Sequence, residues 1–95
     1  MSEHTETSPP PPGFKLLQTL RGHDDMICRI AWSPNGEKLA SASIDHSVSL
    51  WDPTSGKLLS TLEGHNDWVR GVAWSPNGKL LASSSYDHRV GIWDV

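Results

Sequence analysis

Ala31-Trp32-Ser33-Pro34-Asn35-Gly36 returns unchanged as Ala73-Trp74-Ser75-Pro76-Asn77-Gly78, about 42 residues further along the chain. Outward from this hexapeptide the register holds in both directions. Upstream, Gly22-His23 recurs as Gly64-His65, Leu16-Leu17 as Leu58-Leu59 and Thr19-Leu20 as Thr61-Leu62. Downstream, Leu39-Ala40-Ser41 recurs as Leu81-Ala82-Ser83, Asp45-His46 as Asp87-His88 and Trp51-Asp52 as Trp93-Asp94. Residues 15–53 lie over residues 57–95 with no insertion and agree at roughly 23 of 39 positions, so they are two copies of one unit.

Each copy reads as short strands separated by turns. Residues 27–32 carry β-branched and aromatic side chains and form the first strand. Ser33-Pro34-Asn35-Gly36 closes a hairpin, because proline presets φ at the first central position and Gly36 accepts a left-handed backbone. Further strands are expected at about residues 38–43, 48–51 and 58–62, and in the second copy at about 69–74, 80–85 and 90–93. Asp45 and His46 occupy the turn after the second strand, and Asp52-Pro53-Thr54-Ser55-Gly56 turns the chain again. With a turn signal every eight to twelve residues or so, no helix fits, and the fold class is all-β.

The set of fixed positions resembles the WD-repeat (WD40) family: Gly-His, then Trp-Ser-Pro-Asn-Gly, then Leu-Ala-Ser-x-Ser-x-Asp, then Trp-Asp. The resemblance covers residues 15–95. It implies β-propeller blades of four antiparallel strands, about two of them here, in an incomplete ring. It also implies that the sequence unit is out of phase with the blade. Residues 16–20 would be the outer strand of a blade whose inner strands are missing, residues 27–62 one whole blade, and residues 69–94 three inner strands.

The resemblance further implies a hydrogen-bonded set of four side chains in each unit: His23, Ser43, Asp45 and Trp51, then His65, Ser85, Asp87 and Trp93. The carboxylate can accept from the imidazole, the imidazole faces the serine hydroxyl, and the hydroxyl faces the indole N–H. Each would be costly to bury without a partner. Serine, histidine and aspartate together also invite a hydrolase reading. Against it, no Gly-x-Ser-x-Gly elbow is present, and the set recurs with its tryptophan, as a structural repeat demands and an active site does not. The reading is therefore no catalysis and no cofactor. His23, His46, His65 and His88 fall at repeat spacing without a close ligand cluster or paired cysteines, so no metal site is expected; His46 and His88 read as turn residues.

Members of the resembling family tend to bind peptides or proteins at the start of the innermost strand and just before the turn aspartate. The matching positions are Met26, Cys28 and Ile44 in the first unit and Trp68, Arg70 and Tyr86 in the second. The units differ at every one of them while their frames agree, as a scaffold with a specific surface requires. Trp68 has a second reading, as a side chain packed between blades.

The bulk properties exclude other classes. Eight Lys and Arg stand against eleven Asp and Glu, giving a net charge of −3 with no basic cluster, so nucleic acid is not an expected partner. Cys28 is the only cysteine and can form no intramolecular disulfide. No secretory signal and no apolar run able to cross a bilayer are visible, so a cytoplasmic location without membrane attachment is expected. Residues 1–14 read as a disordered leader with four consecutive prolines. The function read from all this is a protein–protein interaction scaffold. The alternative is an accessory or regulatory repeat segment of a larger signalling or enzymatic protein whose catalytic part lies elsewhere. Because two units cannot close a ring, further blades are expected from the same longer chain or from identical chains.

Overall fold

Alternation along the strands decides what each sheet buries. In the computed structural model, which describes residues 9–95, β1 (Ile27–Trp32), β2 (Leu39–Ser43), β3 (Ser47–Trp51) and β4 (Leu58–Glu63) form one antiparallel meander. A second meander comprises β5 (Val69–Trp74), β6 (Leu80–Ser85) and β7 (Val90–Asp94). The fold is all-β, two open sheets of four and three strands, with each strand bound within one or two residues of the sequence pattern. Among the described residues no helix is long and apolar enough to cross a membrane.

The turns form as their residues dictate. Gly36 and Gly78 take φ of 76° and 75°, and each returns its N–H to the carbonyl of Ser33 or Ser75 at 2.9 Å. His46 and His88 also adopt the left-handed backbone, with φ of 77° and 70°, in the turns after β2 and β6. Histidine tolerates that region better than a β-branched residue does.

Paired residues in an antiparallel ladder point to the same side. In the first sheet Ala40 pairs with Leu50, Ala42 with Val48, and Val48 with Leu62, which makes one face apolar and small in its middle strand. In the second sheet Val72 pairs with Ser83 and Trp74 with Leu81, and Leu81 pairs in turn with Trp93. That face of the second sheet packs on the alanine face of the first. Ala40, Ala42, Val48, Leu50, Val69 and Leu81 are buried together, with Leu62, Val72, Trp74, Trp93 and Val95 against them. The Trp74 indole also donates to the carbonyl of Ala31 at 3.0 Å, so the sheets are tied by a directed bond as well as by apolar contact.

The outer faces of the pair lack such cover. Val90 and Ile92 occupy the places that Val48 and Leu50 hold in the first unit, yet stand 67% and 64% exposed while Val48 and Leu50 are buried. On the opposite flank Ile30 and Trp32, the counterparts of Val72 and Trp74, are 57% and 58% exposed. Residues 16–20, expected as an outer strand, belong to no sheet; Leu16 and Leu17 are exposed, and Gln18 Nε2 donates to the Thr54 carbonyl at 2.9 Å. A strand needs a ladder partner, and the inner strands of that blade are not among the described residues. The leader expected over residues 1–14 lies in its first eight positions outside the described residues; of the remainder, residues 9–14 are exposed, and Phe14 N–H closes a turn onto the Pro11 carbonyl at 3.1 Å.

Leu81 is fully buried in the contact between the sheets. Leu81→Ala is expected to destabilise the chain by about 2–5 kcal/mol, the range for deleting a buried leucine side chain. Urea unfolding followed by tryptophan fluorescence checks it.

Candidate functional site

Two kinds of site can be built from the residues: a buried polar chain within each sheet, and an exposed cluster at one end of the innermost strands.

The polar chain begins with a donor that has no alternative. An indole N–H can only donate. Trp51 Nε1 donates to Ser41 Oγ at 2.8 Å, and the Ser41 hydroxyl lies 2.6 Å from His23 Nε2. The hydroxyl proton is thereby left for the imidazole, which must accept at Nε2 and so donates from Nδ1 to Asp45 Oδ2 at 2.9 Å. The backbone N–H of Asp24 adds a bond to the same carboxylate oxygen at 3.1 Å. The second unit repeats the chain. Trp93 Nε1 donates to Ser83 Oγ at 2.8 Å, Ser83 Oγ is 2.7 Å from His65 Nε2, and His65 Nδ1 is 2.9 Å from Asp87 Oδ2. No buried side-chain nitrogen or oxygen among the described residues lacks a partner.

This geometry corrects one part of the sequence reading. The serine in each chain is Ser41 or Ser83, where Ser43 and Ser85 were expected. Register gives the reason. Trp51 pairs with Leu39, and Ser41 lies diagonally two residues from it, whereas Ser43 lies four residues away, roughly 13 Å along a strand. Ser43 instead donates to the Met26 carbonyl at 2.9 Å and accepts from Asp45 N–H at 3.1 Å. Ser85 likewise donates to the Asp67 carbonyl at 3.3 Å and accepts from Asp87 N–H at 3.1 Å. The sequence offers both serines in each copy, and only strand register separates them.

The glycine before each histidine was noted as a repeat without a reason, and the structure supplies one. A Cβ on Gly22 would stand 3.0 Å from the far edge of the Trp51 ring, and one on Gly64 would stand 3.1 Å from that of Trp93. Glycine lets the loop close over the indole without displacing the ring, which a Cβ there would push by a few tenths of an ångström.

Burial pushes the Asp45 carboxyl up, but hydrogen bonds from Ser47, His23 and the backbone N–H groups of Asp24 and Ser47 outweigh it and hold its pKa at about 2. For Asp87, burial again acts upward, and bonds from Asn66 N–H, His65 and Arg89 N–H bring it to about 2.

The second site lies at the start of β1 and β5. Ile44 N–H donates to the Met26 carbonyl and Tyr86 N–H to the Trp68 carbonyl, both at 3.0 Å, so each expected pair faces itself across neighbouring chain segments. Ladder shifts between Ile27 and Arg29 and between Val69 and Gly71 make Cys28 and Arg70 the extra residue of a β-bulge. A bulge re-aims its side chain, which is how Arg70 reaches Tyr86. Trp68 stacks on Tyr86 with ring centroids 5.6 Å apart, and the Arg70 guanidinium stands 5.2 Å from the Tyr86 ring and donates to its hydroxyl. Trp68 and Tyr86 are exposed; the tryptophans packed against the core between the sheets are Trp74 and Trp93. In the first unit Met26 is exposed, while Cys28 and Ile44 are half-buried.

The family described as WD domain, G-beta repeat matches residues 14–52 and 56–94. Among characterised relatives, the chain is 54% identical over 39 residues to a Protein HIRA homolog of Drosophila melanogaster, covering 41% of this chain and 4% of that protein. It is 49% identical over 35 residues to a probable cytosolic iron-sulfur protein assembly protein CIAO1 homolog of Chlamydomonas reinhardtii, covering 37% and 10%. To an Arabidopsis thaliana protein named Cell division cycle 20.5, cofactor of APC complex, it is 40% identical over 40 residues, covering 42% and 9%. The likeness therefore spans a small part of each relative's length.

Ser41→Ala should cost about 1–3 kcal/mol, because it orphans the Trp51 N–H and removes the donor to His23. Thermal unfolding with tryptophan emission checks it; an unchanged midpoint would show that Ser41 has no such role. The pH dependence follows from the two aspartates. Their folded values of about 2 lie below the ordinary value of about 3.9, so their contribution is complete above about pH 4 and disappears as pH falls through about 2. The urea midpoint should fall across that window, and the double variant Asp45→Asn, Asp87→Asn should show a shallower fall.

Proposed function

This chain belongs to the WD domain, G-beta repeat family, and from that premise we propose that it acts as a protein–protein interaction scaffold with no catalysis of its own. The observation that carries the reading is the Trp68, Tyr86 and Arg70 cluster: exposed aromatic rings with a guanidinium, at positions where the two repeats diverge although their frames agree. Tryptophan, tyrosine and arginine dominate interface energetics, and here they are pre-arranged on strand ends. Met26, Cys28 and Ile44 extend the proposed surface from the first repeat. A protein or peptide is the partner, and residues 15–95 are the two repeats that present the face to it.

The reading of no catalysis draws on the burial of the polar chain. Ser41 Oγ is committed to Trp51 and His23 in a nearly inaccessible position, so it is not placed as a nucleophile. The names of relatives support a role inside assemblies, one as a cofactor of a complex and another as a cytosolic assembly protein, and a cytoplasmic location is proposed on the same ground. A second reading, a regulatory repeat segment of a larger protein, is favoured by the small share of each relative that the match covers.

Peptides selected by display against the chain are the probe. Trp68→Ala and Arg70→Ala, checked for unchanged thermal midpoints, should each weaken the selected peptides about 30-fold, as expected for roughly 2 kcal/mol at an interface anchor. Titration calorimetry reads the change. Unaltered affinity in both variants would remove this face from the reading.

A further inference from the structure

Four consecutive prolines, Pro9 to Pro12, precede the repeats and take no part in either sheet. Proline fixes φ at about −65° and turns the residue before it away from the helical region. A run of four therefore favours the polyproline II helix, which has three residues per turn and no internal hydrogen bonds. Pro9 and Pro12 fall on the same edge of such a helix, roughly 9 Å apart along its axis. All four prolines are exposed, and no backbone N–H among the described residues donates to the carbonyl of Pro10 or Pro12.

The run ends in a closed turn. Phe14 N–H donates to the Pro11 carbonyl at 3.1 Å, and Gly13 has a φ of 88°. Proline at the first central position and a left-handed glycine at the second make this a type II turn. The first central position of that turn is itself close to polyproline II, so the helix runs through Pro12. The turn folds Phe14 back beside Pro11, with their Cα atoms within about 7 Å. Phe14 is 73% exposed and lies outside the core. The repeat does not account for it, because the matching place in the second copy is Gly56. A plain spacer needs neither a closed turn nor an aromatic ring in water.

We infer that residues 9–14 are themselves a ligand: the prolines and Phe14 dock together into an aromatic-lined groove on a partner protein domain. The residue types define that groove. Residues 9–14 carry no charged side chain, so no ion pair directs their recognition. They offer flat ring faces, free carbonyls and one phenyl ring. Tryptophan and tyrosine match all three, since their rings pack on apolar faces and their N–H or O–H donates to a carbonyl. Docking orders little that is mobile, because the prolines are restricted before the partner arrives. The inference does not rest on the Trp68 and Tyr86 face, which receives a partner, whereas residues 9–14 are received by one.

A panel of immobilised SH3, WW and EVH1 domains, which read polyproline II segments through such grooves, is the probe. Surface plasmon resonance with the 95-residue chain is the measurement. At least one domain should bind saturably. Against that domain, the double variant Pro9→Ala, Pro12→Ala and, separately, Phe14→Ala should each weaken binding about tenfold or more, as expected for interface anchors. Gly13→Ala should weaken it too, with every docking side chain retained: a Cβ there meets nothing, but the left-handed φ is strained for alanine. All three variants should keep the wild-type thermal midpoint, because residues 9–14 lie outside both sheets. Trp68→Ala should bind the domain as wild type does, which separates failure here from failure of the proposed partner face. No saturable binding to any domain, or unchanged affinity in any of the three variants, overturns the inference. Equal loss in Trp68→Ala also overturns it, by moving the contact to the other face.

Discussion

The contact between the valine and tryptophan face of the second sheet and the alanine face of the first is the interaction on which the rest of the structure depends. Each sheet is a small antiparallel meander whose apolar face must be buried against another layer. The alanines at 40 and 42 remove bulk from the middle strand, so Val69, Val72 and Leu81 can approach the backbone of the first sheet closely. The polar chain sits on the opposite face of the first sheet, with Ser41 and Trp51, but on the contacting face of the second, where Ser83 lies beside Val72, Leu81 and Trp93. In both sheets the serine reaches the histidine of the loop before the first strand, and the buried polar groups there are paired.

The polar chain makes that pairing. A tryptophan on the third strand fills the space beside the serine strand, but its N–H must be paired when buried. The serine supplies the acceptor, the histidine accepts the serine proton, and the turn aspartate accepts from the histidine. The chain crosses from the third strand, over the second, to the loop before the first and back to the turn after the second. It therefore ties the loop before the first strand to the laddered second and third strands and to the turn between them. Burying an ordinary catalytic trio this way would waste it, and the same three residue types here hold architecture together.

Most of this was legible in the sequence, for identifiable reasons. The duplicated unit placed the seven strands that form, because each turn residue that sets a boundary appears twice, Gly36 with Gly78 and Asp45 with Asp87, while the further strand expected at residues 16–20 joins no sheet. Histidine, aspartate and tryptophan of the polar chain were readable through the family resemblance, which assigns one residue of the repeat to each. The serine was not, since Leu-Ala-Ser-x-Ser presents two candidates on the same face, and only the pairing of Trp51 with Leu39 distinguishes them. The glycine before the histidine was visible as a repeat but mute as to cause, because close approach to an indole edge is a property of three dimensions. The bulges at Cys28 and Arg70, the second of which brings its guanidinium onto Tyr86, leave no mark in composition either; a strand with one extra residue reads like any other.

The division between frame and variable tips follows from these placements. A residue in the face between the sheets, such as Val48 or Leu81, is held by its neighbours on every side, so a change there is felt as lost packing. A residue at the bulge or just before the turn aspartate touches few such neighbours. Trp68 and Tyr86 stack on each other, outside the core, and Met26 occupies the Trp68 position in the other repeat with the same backbone bond beneath it. The backbone bond from Ile44 or Tyr86, with Ser43 or Ser85 tying the turn below it, holds the position whatever side chain it carries. Chemistry at these tips can therefore change from methionine and isoleucine to tryptophan and tyrosine without disturbing the fold. That separation lets one repeated frame present a different surface from each copy.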